Sequence, residues 1–141
     1  MTEEEKWQYL ADLDECLLKG GVMLPEWATF LIKDADTAFA VGAYLASIIT
    51  GLAGVETCLR GENGGKGQRF FELIDQADIE DDLKRELHVL RKYRNAWVHV
   101  ADPWEDVLLL EFPERWEAEL EEMARRCVVA LRRAIYKDPW I

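Results

Sequence analysis

Serine, histidine and cysteine are scarce in this 141-residue chain, and each scarcity removes a class of chemistry. Ser47 is the single serine and sits inside the most apolar stretch, without the strand-turn-helix setting of a nucleophile elbow. Of the two histidines, His88 and His99, neither lies in an HExxH pattern or beside a cysteine pair, so no zinc-binding spacing exists. Cys16, Cys58 and Cys127 are odd in number, far apart and free of CxxC spacing. They read as small core residues of a chain in a reducing compartment, with the cytoplasm as the expected location.

Positive charge is also in short supply. Against 28 acids stand 17 bases, a net charge of -11, whereas nonspecific nucleic-acid affinity comes from a basic surface that neutralises phosphates. A general nucleic-acid coat protein is thereby excluded, and any phosphate site must be local. The first residues, MTEEEKWQYL, are acidic where a secretory or mitochondrial leader would be basic. A cofactor loop is missing as well. GENGGKG, Gly61 to Gly67, is one residue too short for a phosphate-binding loop and has Gly67 where magnesium needs Ser or Thr. It also follows a helix rather than a strand, so no metal and no cofactor is expected.

What is present is a chain with 50% hydrophobic and 32% charged residues, long enough to bury about two thirds of its unfolded surface in one domain, 1–141. The one run that merits a membrane test, Ala38 to Val55, is rich in Ala and Gly and lacks basic flanks. It reads as the buried central helix of a bundle, and no membrane is expected.

Periodicity predicts an all-α bundle of about four or five helices. The first runs from Thr2 to Lys19 with Trp7, Leu10, Leu13 and Leu17 on one face, stopped by Gly20-Gly21. Pro25 opens a short helical turn through Trp27, Phe30 and Leu31, and Asp34 or Asp36 caps a long central helix reaching Arg60. In that helix Gly42, Ala46, Thr50 and Gly54 form one small-residue row, and Ala43, Ser47 and Gly51 a second, so neighbouring backbones can approach closely. Helical pattern resumes at Gln68, and Asp78 is a candidate cap for the segment ending at Val100. Leu83, Leu87, Leu90, Arg94 and Trp97 share one face of that segment, with Lys84, His88, Arg91, Asn95 and His99 on an adjacent polar stripe. Pro103 breaks it, VLLLEF fits strand or helix, and Glu114 to Lys137 forms a last helix with Trp116, Leu120, Met123, Cys127 and Leu131 inward.

The constellation left over is Arg94-Asn95-Ala96-Trp97-Val98-His99 at the end of a helix. LRKYRNAWVH resembles the Arg-polar-x3-His motif of the HEPN superfamily, with Asn95 as the polar residue. GAYLASIITGLAGVETCLR is similar to that superfamily's long preceding helix, in which an acid, here Glu56, precedes an apolar turn and a base, here Arg60. The likeness covers roughly Asp34 to Asp106. It implies a HEPN-like bundle, a metal-independent endoribonuclease of the toxin or phage-defence kind, RNA as substrate, and two motifs facing each other across a homodimer cleft. It also implies an antitoxin or another protein as partner. The toxin subgroup controlled by nucleotidyltransferases carries a Tyr two residues after the His; Ala101 stands there, so control by that modification is not expected.

The residue types suit phosphodiester chemistry. A ribose 2′-hydroxyl attacking its own phosphate needs a group that moves protons and a cation that stabilises the phosphoryl oxygens. His99 would move the proton, Arg94 would hold the phosphate, and Asn95 would orient a hydroxyl or the imidazole. His88 and Arg91 would extend the stripe as substrate contacts. Five residues of straight helix turn Arg94 and His99 about 140° apart. Convergence therefore needs the helix to end near Val98 or a second subunit to bring its copy alongside, with Trp97 and Trp104 as interface anchors.

A structural account competes with this one. Arg94 would be the partner of Glu56 or another acid, and His99 would cap a helix C-terminus, where a cation gains ~0.3 to 1 kcal/mol. Acids early and bases late in both long C-terminal segments, including Arg132, Arg133 and Lys137, are what the helix dipole alone predicts. The functional counterpart is a non-catalytic acidic HEPN-like interaction or regulatory module that binds a basic partner or mimics nucleic acid. The acids of DPWED directly after His99 favour that counterpart, since they repel phosphate unless the chain turns them away.

Overall fold

The acid-rich start, MTEEE, folds as its pattern demands: the Thr2 hydroxyl accepts a bond from the Glu5 amide, and Glu3 to Glu5 fill the first turn of α1, Glu3–Leu17. A computed structural model describes residues 1–63, 67–104 and 108–138 of the chain. Six further helices follow: α2 (Glu26–Ala40), α3 (Tyr44–Asn63), α4 (Phe70–Gln76), α5 (Asp81–Val98), α6 (Leu108–Glu111) and α7 (Pro113–Ile135). The fold is all-α, with seven helices among the described residues where the pattern predicted four or five.

The extra helices are the Pro25 turn, which extends into the full α2, and the short α6, and the boundary between α2 and α3 falls at Gly42. The expected central helix is two helices, because α2 already starts after Pro25 and stops at Ala40. The Ala43 amide donates to the Ala38 carbonyl and the Gly42 amide to Phe39, a two-bond C-terminal cap that needs a left-handed residue between them. Gly42 supplies it with φ +85°. Asp34 and Asp36 are therefore interior residues of α2 and not N-caps. VLLLEF resolves as the short α6 from Leu108 onward, while Val107 lies outside the described residues, as do Gly64, Gly65 and Lys66 of the glycine-rich loop.

Helices α2 and α3 pack as a hairpin, α7 lies along α3, and α5 packs on α7 and α3 with α4 bridging α3 and α5. The hairpin crossing uses Ser47, Gly51 and Gly54, all buried, whereas Ala46 is exposed. A Cβ on Gly51 would meet Cys127 Sγ at 3.2 Å, and one on Gly54 would meet Ile32 Cγ1 at 3.3 Å. The second small-residue row, joined by Gly54, thus makes the close approach. Buried Ser47 donates to the Ala35 carbonyl across the hairpin at 2.9 Å, so its hydroxyl is satisfied.

Leu83, Leu87 and Leu90 of α5 and Leu120, Met123, Cys127 and Leu131 of α7 enter the core as their spacing predicts. Trp7, placed on the inner face of α1, is exposed, and Cys16 is exposed where a core position was expected. Cys58 and Cys127 are buried. Among the described residues no helix is long and apolar enough to cross a membrane.

Candidate functional site

Helix α5 separates two different surroundings. Its leucine face is in the core, the stripe of Lys84, His88 and Arg91 turns toward α4, and Tyr93 and Trp97 turn toward α7. On the α4 side, His88 Nε2 lies 2.7 Å from Asp75 Oδ1. An ionised carboxylate only accepts, so this contact suits the tautomer with the proton on Nε2, which turns the Nδ1 lone pair to Arg91, whose Nε and Nη2 approach at 3.4 Å. Lys84 Nζ donates to the Asp75 backbone carbonyl at 2.8 Å, pinning the acid's residue from below.

The two adjacent phenylalanines that open α4 carry two guanidiniums. Arg91 lies over Phe71, 5.8 Å from the ring centroid, and Arg94 lies over Phe70 at 5.7 Å. Arg94 also donates from Nε and Nη2 to Asn95 Oδ1 at 3.1 and 2.8 Å. Glu56, the expected partner of Arg94, bonds Arg60 directly at 2.8 Å, and Arg60 Nη1 reaches the Gln68 carbonyl. Partial burial lowers the Arg94 guanidinium from its usual range; the Glu56 carboxylate opposes this and the Arg91 charge adds to it. Arg60, Arg125, Arg126, Arg132 and Arg133 each meet a carboxylate. Arg91 and Arg94 form no ion pair among the described residues. Their polar partners are an imidazole and an amide, which leaves both positive charges available to an anion.

His99 is placed differently. Helix α5 ends at Val98, and His99 leaves it with φ -122° and ψ 50° while its amide still donates to the Asn95 carbonyl at 2.9 Å. The side chain is exposed and makes no hydrogen bond or ion pair among the described residues. One chain therefore brings His88 and Arg91 together and leaves Arg94 and His99 unjoined. Glu105 and Asp106 of DPWED lie outside the described residues.

On the α7 side, Trp97 packs edge-on against Trp116, with centroids 6.1 Å apart and planes at 90°. Trp97 is thus partly engaged inside the protomer, half-buried against Trp116. Trp104 is 89% exposed, and Val98, Val100, Leu110 and Phe112 are exposed with it. Tyr93, Trp97, Val100, Pro103, Leu109 and Trp116 line a cleft of about 520 Å³, with Asp102 and Glu119 as its acids. No group of three or more His, Cys, Asp or Glu side chains comes together around a common point among the described residues.

Sequence spacing alone could bring out the His88–Arg91 pair, since three helical residues put both on one face. Asp75 carried no such signal, because it reaches His88 from another helix thirteen positions earlier. The Phe70 and Phe71 platforms read only as core pattern. Comparison of the chain with protein-family models, with curated proteins and with solved structures yields no match in any of the three.

Proposed function

We propose that this chain is a metal-independent endoribonuclease of the HEPN toxin or defence kind, working in the cytoplasm as a homodimer. One observation supports the reading: in a protein of net charge -11, two neighbouring guanidiniums, Arg91 and Arg94, rest on aromatic rings and neutral partners, with no carboxylate bonded to either among the described residues. Two neighbouring cations with no directly bonded carboxylate repel each other, so an anion that enters between them is favoured. A phosphodiester is the anion that the adjoining Asn95 and His88, and a His99 brought in by a second subunit, could also process. Arg94 would hold the phosphoryl oxygens, Asn95 would fix the guanidinium plane, and proton transfer together with charge stabilisation would carry the step.

The homodimer belongs to the same reading. His99 follows the end of α5 with no side-chain partner among the described residues, and Val98, Val100 and Trp104 nearby in the chain are exposed. A two-fold mate covering that apolar end would bring a second motif to face the first. The test is a denaturing gel of a mixed RNA pool treated with wild type, Arg94→Ala and His99→Ala, each with and without EDTA. Wild type should cut with and without chelator and leave 2′,3′-cyclic phosphate ends, and both variants should be inactive. A wild type that cuts nothing overturns the nuclease, and cutting abolished by EDTA overturns the metal-free step.

A second reading rests on the apolar residues at and just before the start of α2. Met23, Trp27 and Phe30 are 77%, 77% and 69% exposed along the start of α2, a concentration of apolar area unusual for an isolated monomer. An acidic module that docks a basic protein through this face would leave it so. Inactivity toward RNA, together with a one-to-one complex with a basic protein encoded alongside, is the result that would transfer the conclusion to it.

A further inference from the structure

We propose that His88, oriented by Asp75, is a catalytic proton-transfer residue of the phosphodiester site, acting beside Arg91 and Arg94 within one protomer; this rests on the nuclease reading. The imidazole has one strong and one weak contact. Its Nε2 is fixed by the Asp75 carboxylate at 2.7 Å, while Nδ1 faces the Arg91 guanidinium at 3.4 Å, the outer limit of hydrogen bonding. A ring held at one nitrogen by a carboxylate and open at the other is set up to take a proton at the open end. The weak contact is to the very group that would bind phosphate. When Arg91 turns its N–H groups to a phosphoryl oxygen, the Nδ1 lone pair is released next to that phosphate.

Position separates this histidine from the one in the motif. With a rise of about 1.5 Å per residue, His99 lies about 16 Å beyond His88 along α5, so one phosphorus cannot contact both in a single chain. His88 already has Arg91 against it, and Phe71 supports that guanidinium from α4. Among the described residues His99 has no such neighbour. The charged groups around the dyad are Asp75 and Lys84 on one side, Arg91 and Arg94 on the other, and the Glu56–Arg60 pair from α3 behind Arg94.

The step balances without a co-reactant. His88 Nδ1 takes the 2′-hydroxyl proton as the O2′–P bond forms, and the leaving O5′, in line on the opposite side of phosphorus, takes a proton from His99 of the partner subunit as the P–O5′ bond breaks; solvent then resets both rings. Products are a 2′,3′-cyclic phosphate and a 5′-hydroxyl. Asp75 touches neither phosphate nor sugar; it is a positioning residue that fixes the tautomer.

The test measures kcat and KM on a fluorophore-labelled oligoribonucleotide for wild type, His88→Gln, Asp75→Asn and Asp75→Glu, with inorganic phosphate titrated into wild type and Arg91→Gln by NMR. His88→Gln should lower kcat on the order of 100-fold or more with little change in KM. Asp75→Asn should lower kcat about tenfold, and Asp75→Glu, which keeps the carboxylate, should recover part of that loss. Phosphate should shift the His88 ring signals saturably in wild type and much less in Arg91→Gln. Wild-type cleavage with His88→Gln within twofold of it overturns the role of His88 and leaves the nuclease standing. Absence of wild-type cleavage overturns both. Phosphate that moves no His88 signal in an active wild type overturns the placement of the phosphate at the dyad.

Discussion

Arg132 of α7 grips Asp36 of α2 through two parallel bonds, Nη1 to Oδ1 at 3.0 Å and Nη2 to Oδ2 at 2.7 Å. Its Nε donates to Asp14 of α1 at 2.9 Å, and the Tyr136 hydroxyl donates to the same Asp14 oxygen at 2.7 Å. One guanidinium with a side chain 2% exposed thus ties three helices, in place of the helix-dipole role that its late position in α7 suggested. Burial raises the Asp36 carboxyl above its ordinary range, with Arg132 pulling it back. Burial alone would lower Arg132, but bonding to Asp36 and the charges of Asp36 and Asp14 raise it.

Removing that guanidinium should be costly. Arg132→Met leaves Asp36 without its partner in a poorly solvated place, while Asp14 keeps the Tyr136 hydroxyl, and the expected loss is ~3 to 5 kcal/mol in urea denaturation. The double variant Arg132→Met with Asp36→Leu should regain most of it, because the stranded charge rather than the missing bond is the main cost. Equal stabilities for the single and double variants would contradict this.

At the hairpin crossing, Gly51→Val should overpack against Cys127 and cost ~1 to 3 kcal/mol. Ala46→Phe, five positions earlier on the exposed side, should change stability by no more than about 0.5 kcal/mol. Paired thermal melts distinguish the two small-residue rows directly.

Thiol reactivity should sort the three cysteines. Burial pushes the Cys58 thiol up to about 11, aided by the Glu62 charge, and the Cys127 thiol up to about 12, so neither yields thiolate at pH 8. Cys16 is exposed. An aromatic disulfide reagent at pH 8 should therefore titrate one thiol per native chain and three in guanidinium chloride. Three fast-reacting native thiols would mean that α3 and α7 do not pack as described.

If the end of α5 is a dimer face, Trp104→Asp should convert a two-fold dimer to monomers in light scattering at micromolar concentration, with the melting curve of the protomer nearly unchanged. Trp104 is 89% exposed in the protomer, so the substitution removes no internal packing. A monomeric wild type would remove the composite site and leave only what one protomer holds.

Much of this architecture could be read from the spacing of apolar residues, and the failures have physical causes. Helices α5 and α7 were legible because leucines at three- and four-residue steps continue over many turns. The stop at Gly42 was hidden because a glycine among alanines reads alike as a close-packing position or as a left-handed cap. Position in three dimensions decided between them. Arg132 and Asp36 stand 96 residues apart, and no local pattern reports a pair that only tertiary packing creates. At the candidate site, Arg91 and His88 shared a stripe by periodicity, whereas the carboxylate that orients the ring and the phenylalanines that bear the guanidiniums came from α4. A motif-centred reading favoured His99, whose side chain is exposed and has no hydrogen bond or ion pair among the described residues.

The three-residue turn at Gly42 also bears on the order in which the chain assembles. Only Val41 to Ala43 separate α2 from α3, so closing that loop costs little chain entropy, and the two helices can meet as soon as they form. The contact between Arg132 and Asp14, by contrast, spans 118 residues and waits for both termini. The α2–α3 hairpin is then the first unit to condense, and α1 is latched by α7 near the end. A side chain forced onto the left-handed Gly42 should accordingly slow refolding, while loss of Arg132 should chiefly hasten unfolding.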